Sequence, residues 1–185
     1  LRRAMMADSL VWVSHAKKTI VSLPYIGEAN RSEFTYYLSQ VDEIIDTGPY
    51  PTHEVVRHHR FVSALSSKDI APVSPQINWR DAPAPIDGAY VILNPGSNEY
   101  GRRWPFSDYL VIAGRLLEKG LRPVFIGHAK ENPSKEHLHA LAKIDGAINM
   151  IGQTNLPQLL DLIRGAAAVL TNDTGPAHVS IALGA

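Results

Sequence analysis

At 185 residues and 45% hydrophobic content the chain has the size of one domain or two small ones, and the composition excludes disordered and collagen-like classes. Its 18 basic side chains balance 18 acidic ones, so no net field draws nucleic acid or an anionic membrane from a distance, and any phosphate contact must be local. The absence of cysteine excludes a disulfide framework and thiolate metal sites while leaving the compartment open.

The opening Leu1-Arg2-Arg3-Ala4-Met5-Met6 has no apolar core behind its arginines and does not read as a signal peptide. No apolar run approaches the roughly 20 residues that cross a bilayer. With Leu1 at the start and Leu183-Gly184-Ala185 closing inside a helical pattern, we expect an internal piece of a longer protein. Strands are expected over 19–23 and 41–45. A helix is expected over 53–65, with Val55, Val62 and Leu65 facing inward and His53, Arg57 and Arg60 on a solvated face. Pro72, Pro75, Pro83 and Pro85 then hold the chain extended. The expected division is a partial N-terminal α/β domain over 1–70, a connector over 71–88, and a C-terminal domain over 89–185 with no internal repeat.

From Tyr90 onward strand and helix alternate. Residues 90–93 form a buried-strand run broken by Asn94-Pro95-Gly96-Ser97-Asn98, and Ser107 is placed to cap a helix carrying Leu110, Ala113 and Leu117, which Gly120 closes. Strands follow over 123–127 and 147–152 with a helix over 137–144 between them. Asn155 and Gln158 have the spacing of a capping box ahead of Leu156, Leu159, Leu160 and Ile163. A further buried strand over 166–170 stops at Thr171-Asn172-Asp173-Thr174-Gly175-Pro176. This order predicts a parallel sheet covered on both faces, with ligands beyond the carboxyl ends of its strands.

Three polar tips fall on that edge. At the last, Asp173 or Thr174 can cap a new helix, Pro176 suits its first turn, and Gly175 lets a ligand approach the backbone. Phosphate fits such a helix N-terminus, with His178 one turn in to add a hydrogen bond or a charge. The competing account is an ordinary capped junction with His178 packed on the sheet. After the first strand, Asn94, Gly96 and Ser97 precede Arg102 and Arg103, two cations suited to clamp a diphosphate or an anionic acceptor, or else a solvated loop anchored by Trp104. After the second strand, Glu131 can accept hydrogen bonds from a ribose or sugar hydroxyl. His137 and His139 fall on different helical faces and there is no HExxH, so no metal site is expected. The sequence also lacks GxSxG, and no GxGxxG follows a strand.

The segments NPGSNEYGRRWP, VFIGHAKE, IGQTNLPQLLDLI and VLTNDTGPAHVSIALGA, in this order, resemble the ADP-heptose:lipopolysaccharide heptosyltransferases of glycosyltransferase family nine, and HEVVRHHRFVSAL does so more loosely. The resemblance implies a GT-B-like fold: a Rossmann-like C-terminal domain, here incomplete, that binds the nucleotide sugar, and part of an N-terminal α/β domain on the acceptor side. Asn94, Gly96, Ser97, Glu131, Asp173, Thr174, Gly175 and His178 would bind the donor. Arg102 would stabilise the leaving group or an acceptor charge, at a position where the family usually has lysine. That exchange keeps the charge and replaces a point donor by a planar fork.

By the same resemblance the activity is metal-independent, cofactor-free, inverting transfer of a heptose or related sugar from a nucleoside-diphosphate donor, ADP-heptose by implication, to a lipopolysaccharide-core or similar lipid-linked glycan. A carboxylate base would deprotonate the acceptor hydroxyl. The family's glycine–aspartate motif that supplies it is absent ahead of Thr19, so the general base is expected outside this chain and the piece alone is expected to be inactive. The implied location is cytoplasmic, at the inner face of the inner membrane, with at most peripheral membrane association and no nucleic acid partner. The alternatives are a sugar-nucleotide epimerase of the same architecture and a non-catalytic nucleotide-sugar-binding module.

Overall fold

The computed structural model describes residues 9–28, 31–131 and 133–185, so the opening Leu1–Met6 lies outside the described residues. The chain forms two compact units that divide between Ser74 and Pro75.

In the first unit β1 (Ile20–Ser22) and β2 (Glu43–Ile45) pair in parallel, Ile20 opposite Glu43, beside α1 (Arg31–Leu38) and α2 (Glu54–Ser66). The carboxylate of Asp42 accepts the Thr19 N–H at 2.6 Å and the Thr19 hydroxyl at 2.8 Å, which ties the two strand entries together. His53 caps α2 by accepting the Val55 N–H on Nδ1 at 3.2 Å. The face that α2 buries is not the expected one. Val62 and Leu65 are exposed, and Arg57 is buried. Its guanidinium donates to Thr47 Oγ1 at 3.1 Å and to the Leu23 carbonyl at 2.6 Å, pairs with Glu54 at 3.0 Å, and lies 4.1 Å from the Tyr25 ring centroid. The segments beyond β1 and β2 offer oxygens and an aromatic face, and a guanidinium with its five donors satisfies them where valine cannot.

The second unit is built on a parallel sheet in the order β5-β4-β3-β6, made of β3 (Tyr90–Asn94), β4 (Arg122–Phe125), β5 (Ile148–Asn149) and β6 (Ala168–Thr171). Its helices are α3 (Phe106–Glu118), α4 (Lys135–Ala142), α5 (Leu156–Gly165) and α6 (Gly175–Leu183). Alternation along β3 decides the packing, because successive side chains of a strand point to opposite faces. Val91 and Leu93 enter one core with Tyr109, Ala113, Phe125 and Leu141, and Tyr90 and Ile92 enter the other with Val124, Ile126, Leu162 and Ile163. Both faces are therefore covered.

Four local expectations are corrected. The last strand was expected to be buried, but among the described residues β6 pairs with β3 alone and leaves Ala168 and Leu170 exposed. The strand expected over 147–152 is confined to Ile148–Asn149, in register with Val124 and Phe125 of β4, and Met150 adds one further bond from its N–H to the Phe125 carbonyl at 2.8 Å. Ser107 does not cap α3: Pro105 holds that place without a side-chain bond, and Ser107 lies inside the first turn. The proline-rich stretch is extended, yet from Pro75 it belongs to the second unit and is bonded to it. Ile77 N–H reaches the Ala182 carbonyl at 2.8 Å, Trp79 Nε1 and Arg80 both donate to Asp161, and Arg164 pairs with Asp81 at 2.8 Å. The capping box is formed in both directions, Asn155 N–H to Gln158 and Gln158 N–H to Asn155, each at 2.9 Å.

Candidate functional site

Parallel register places Asn94 opposite Thr171, and Leu93 opposite Phe125, so the loops after β3, β4 and β6 leave the sheet along one edge. Asn94 joins two of them. Its Nδ2 donates to Thr171 Oγ1 and to Thr174 Oγ1, both at 2.9 Å, and the Thr174 hydroxyl donates onward to the Asn172 carbonyl at 3.2 Å.

This has a consequence at α6. Thr174 is its N-cap, extended at φ −149° and ψ 177°, but with its hydroxyl turned to the loop it makes no capping bond. Neither Asp173 nor Thr174 therefore covers the helix start with its side chain. Among the described residues the N–H groups of Asp173, Thr174 and Gly175 have no hydrogen-bond partner, and the space a Cβ would take at Gly175 is open. An uncovered helix N-terminus carries free donors and partial positive charge, the conditions that favour an anion.

Side-chain charge gathers at the same place. Arg102 pairs with Glu99 at 3.0 Å and with Asp173 at 3.1 Å, and His178 Nε2 lies 3.8 Å from the other Asp173 oxygen. The His178 side chain is 77% exposed, so it is not packed on the sheet as the competing sequence account required. An ionised carboxylate only accepts, so Asp173 faces the Arg102 guanidinium and the His178 ring and has no hydrogen to offer a phosphate.

The remaining predicted residues divide. Asn94, Gly96 and Ser97 are buried and engaged within the protein: the Gly96 carbonyl accepts from Asn172, and Ser97 accepts the Glu99 N–H on its hydroxyl and Arg103 Nε, at 2.7 Å, on its carbonyl. Arg103 thus faces its own loop while Arg102 faces Asp173. Glu131 ends the short 3-10 turn Ala129–Glu131 after β4, and its side chain lies outside the described residues. That tip is fastened by the Gly152 N–H to the Gly127 carbonyl at 2.8 Å.

Two residues that sequence reasoning gave no role stand at the centre. Asn172, 8% exposed, accepts the Trp104 N–H at 3.2 Å and the Tyr109 hydroxyl at 3.3 Å, and donates to the carbonyls of Pro95 at 2.9 Å and Gly96 at 3.3 Å. Tyr109 also reaches the Asn94 carbonyl at 3.3 Å, stands edge-on to Trp104, and has its hydroxyl pushed above the ordinary tyrosine range by burial. The one signal for Asn172 was its place in a polar cluster at a strand end, which marks a loop without saying which member holds it. Among the described residues no group of three or more histidine or acidic side chains could hold a metal ion, and no helix is long and apolar enough to cross a membrane.

Residues 46–185 match the profile of glycosyltransferase family 9 (heptosyltransferase). Over 94 residues the chain is 36% identical to lipooligosaccharide heptosyltransferase 2 of Haemophilus influenzae and 34% identical to lipopolysaccharide heptosyltransferase 2 of Escherichia coli, in each case 48% of this chain and 27% of the relative. Among solved structures it is similar to a family 9 glycosyl transferase from Veillonella parvula, with TM-score 0.66 and 18% identity, covering 95% of this chain and 51% of that one. It is also similar to the E. coli heptosyltransferase WaaC with ADP-2-deoxy-2-fluoro heptose, with TM-score 0.57 and 16% identity, covering 80% and 48% of the two chains. These structural likenesses establish the GT-B-like α/β fold, and the chain spans about half the length of the structures it matches.

Proposed function

Because the chain belongs to glycosyltransferase family 9, the heptosyltransferases, we propose that its second unit binds the diphosphate of a nucleotide sugar in an inverting, metal-independent transfer to a lipopolysaccharide-core acceptor. The observation that carries this reading is the uncovered start of α6, where free N–H groups stand beside Arg102 and His178. As the sugar–phosphate bond breaks, negative charge grows on the leaving diphosphate. Preorganised donors stabilise that charge without reorganising, and they do so more effectively in a site closed to water.

In this reading Gly175 and its neighbours receive the phosphate oxygens on backbone N–H groups, and Arg102 turns a planar fork toward them, its hold on Asp173 exchanged for the stronger charge of the donor. Asn94 and Ser97 act by holding the loops, and Glu131 serves the ribose. The proton acceptor for the incoming hydroxyl is none of the residues on this edge. We take the donor to be ADP-heptose, in keeping with the WaaC complex with an ADP-heptose analogue and the names of the relatives. The first unit would serve the acceptor, and the setting would be the cytoplasmic face of the inner membrane with peripheral contact.

Titration calorimetry with ADP tests the reading. Binding is expected, and His178→Ala should weaken it about five- to tenfold, the loss of one exposed charge-assisted hydrogen bond. Unchanged affinity in a folded His178→Ala variant would remove His178 from the phosphate site.

A further inference from the structure

We propose that Asn172 is a positioning residue that locks the 95–97 loop and the arm carrying Arg102 to the 172–175 turn, so that the cradle meets a nucleoside diphosphate as one rigid body. The proposal rests on the diphosphate reading of this edge and adds what holds the edge in shape.

The amide of Asn172 places both of its hydrogens on carbonyl oxygens, and its oxygen accepts the Trp104 N–H and shares the Tyr109 hydroxyl with the Asn94 carbonyl. The partners lie between 63 and 77 residues earlier in the chain, so these bonds join segments that only the fold brings together. The side chain is buried, and bulk water is not at hand to replace a lost bond. By comparison, the direct tie between the two loops, Arg102 to Asp173, joins side chains that are 51% and 67% exposed. Exposed pairs of this kind fix little by themselves. Arg102 is two residues from Trp104, whose N–H Asn172 holds, so its reach to the α6 N-terminus depends on this buried amide more than on its own ion pair. Asn94 braces Thr171 and Thr174 with its side chain, so among the described residues the buried side-chain link between the 95–104 arm and the turn is Asn172.

The test compares ADP affinity in the wild-type chain, Asn172→Ala, Arg102→Ala and the double variant, with amide hydrogen exchange of each in the absence of nucleotide. Asn172→Ala should weaken ADP about tenfold or more and speed exchange over both 95–104 and 172–175, and Arg102→Ala should then cost little further, since a misplaced arginine has little left to lose. Asn172→Asp provides the milder variant: it keeps the acceptor toward Trp104 and loses both donors, and is expected to loosen 95–97 with an intermediate loss of affinity. Additive losses in the double variant, or exchange and affinity unchanged in Asn172→Asp, would overturn the positioning role. Failure of the wild-type chain to bind ADP would overturn the diphosphate reading and this role together, whereas ADP binding untouched by either Asn172 variant would overturn this role alone.

Discussion

Asp173 stands between Arg102 and His178, and its carboxylate pairs with the Arg102 guanidinium while lying 3.8 Å from His178 Nε2. Arg102 has two acidic neighbours, Glu99 and Asp173, so an arriving diphosphate must compete with them. A terminal phosphate adds charge and oxygens where a monophosphate has fewer, and that difference decides the competition. We therefore expect the chain to bind ADP more tightly than AMP, and Arg102→Ala to remove most of that preference while Arg102→Lys retains part of it. Paired titrations of ADP and AMP against the three proteins check this, and an undiminished preference in Arg102→Ala would take Arg102 away from the terminal phosphate. At this scale the sequence showed which residues gather at the edge and not what each one does. Asn94 and Ser97 look like ligands when read as letters, and the structure shows both buried and bonded within the protein.

Among the elements, α5 shows how a helix can hold an extended strand of chain that has no sheet to join. Asp161 on α5 accepts Trp79 Nε1 at 2.7 Å and both Nε and Nη2 of Arg80, and Arg164 one turn on pairs with Asp81. The hydrogen bond from Arg80, then that from Trp79, holds the Asp161 carboxyl below its ordinary value. A carboxyl whose folded-state pKa is depressed contributes stability above its unfolded value of about 3.9 and loses it as the pH falls through the lower folded value. Thermal melts below about pH 4 should therefore show a loss that is smaller in Asp161→Asn than in wild type, although the variant is less stable at neutral pH; an identical acid profile would show that the clasp carries none of it. The elements themselves were legible where periodicity and caps agree. The box at Asn155 and Gln158, whose side-chain atoms answer each other's N–H groups, formed as its spacing implied. The inward face of α2 was misjudged because periodicity identifies an apolar stripe, and the surface awaiting this helix is made of oxygens that call for Arg57.

For the molecule as a whole, the second unit was more legible than the first because its central strands β3 and β4 are buried on both faces and its loops repeat one plan, a strand, a polar tip and a helix. The first unit offers two strands of three residues each, too short for alternation to speak. The gathering of the polar loops at one edge followed from topology, since a parallel sheet sends its loops to one edge; the wiring of that edge through Asn172 and Tyr109 depends on segments far apart in the chain, and no local pattern encodes it. The central claim is that this edge holds a diphosphate on α6. The most direct measurement is an amide-resolved NMR titration of the chain with ADP in the presence of a chelator. The account predicts saturable shifts concentrated at residues 173–178 and 96–103, undiminished by the chelator; shifts elsewhere with none at 173–178, or binding that appears only when a divalent cation is restored, would contradict it.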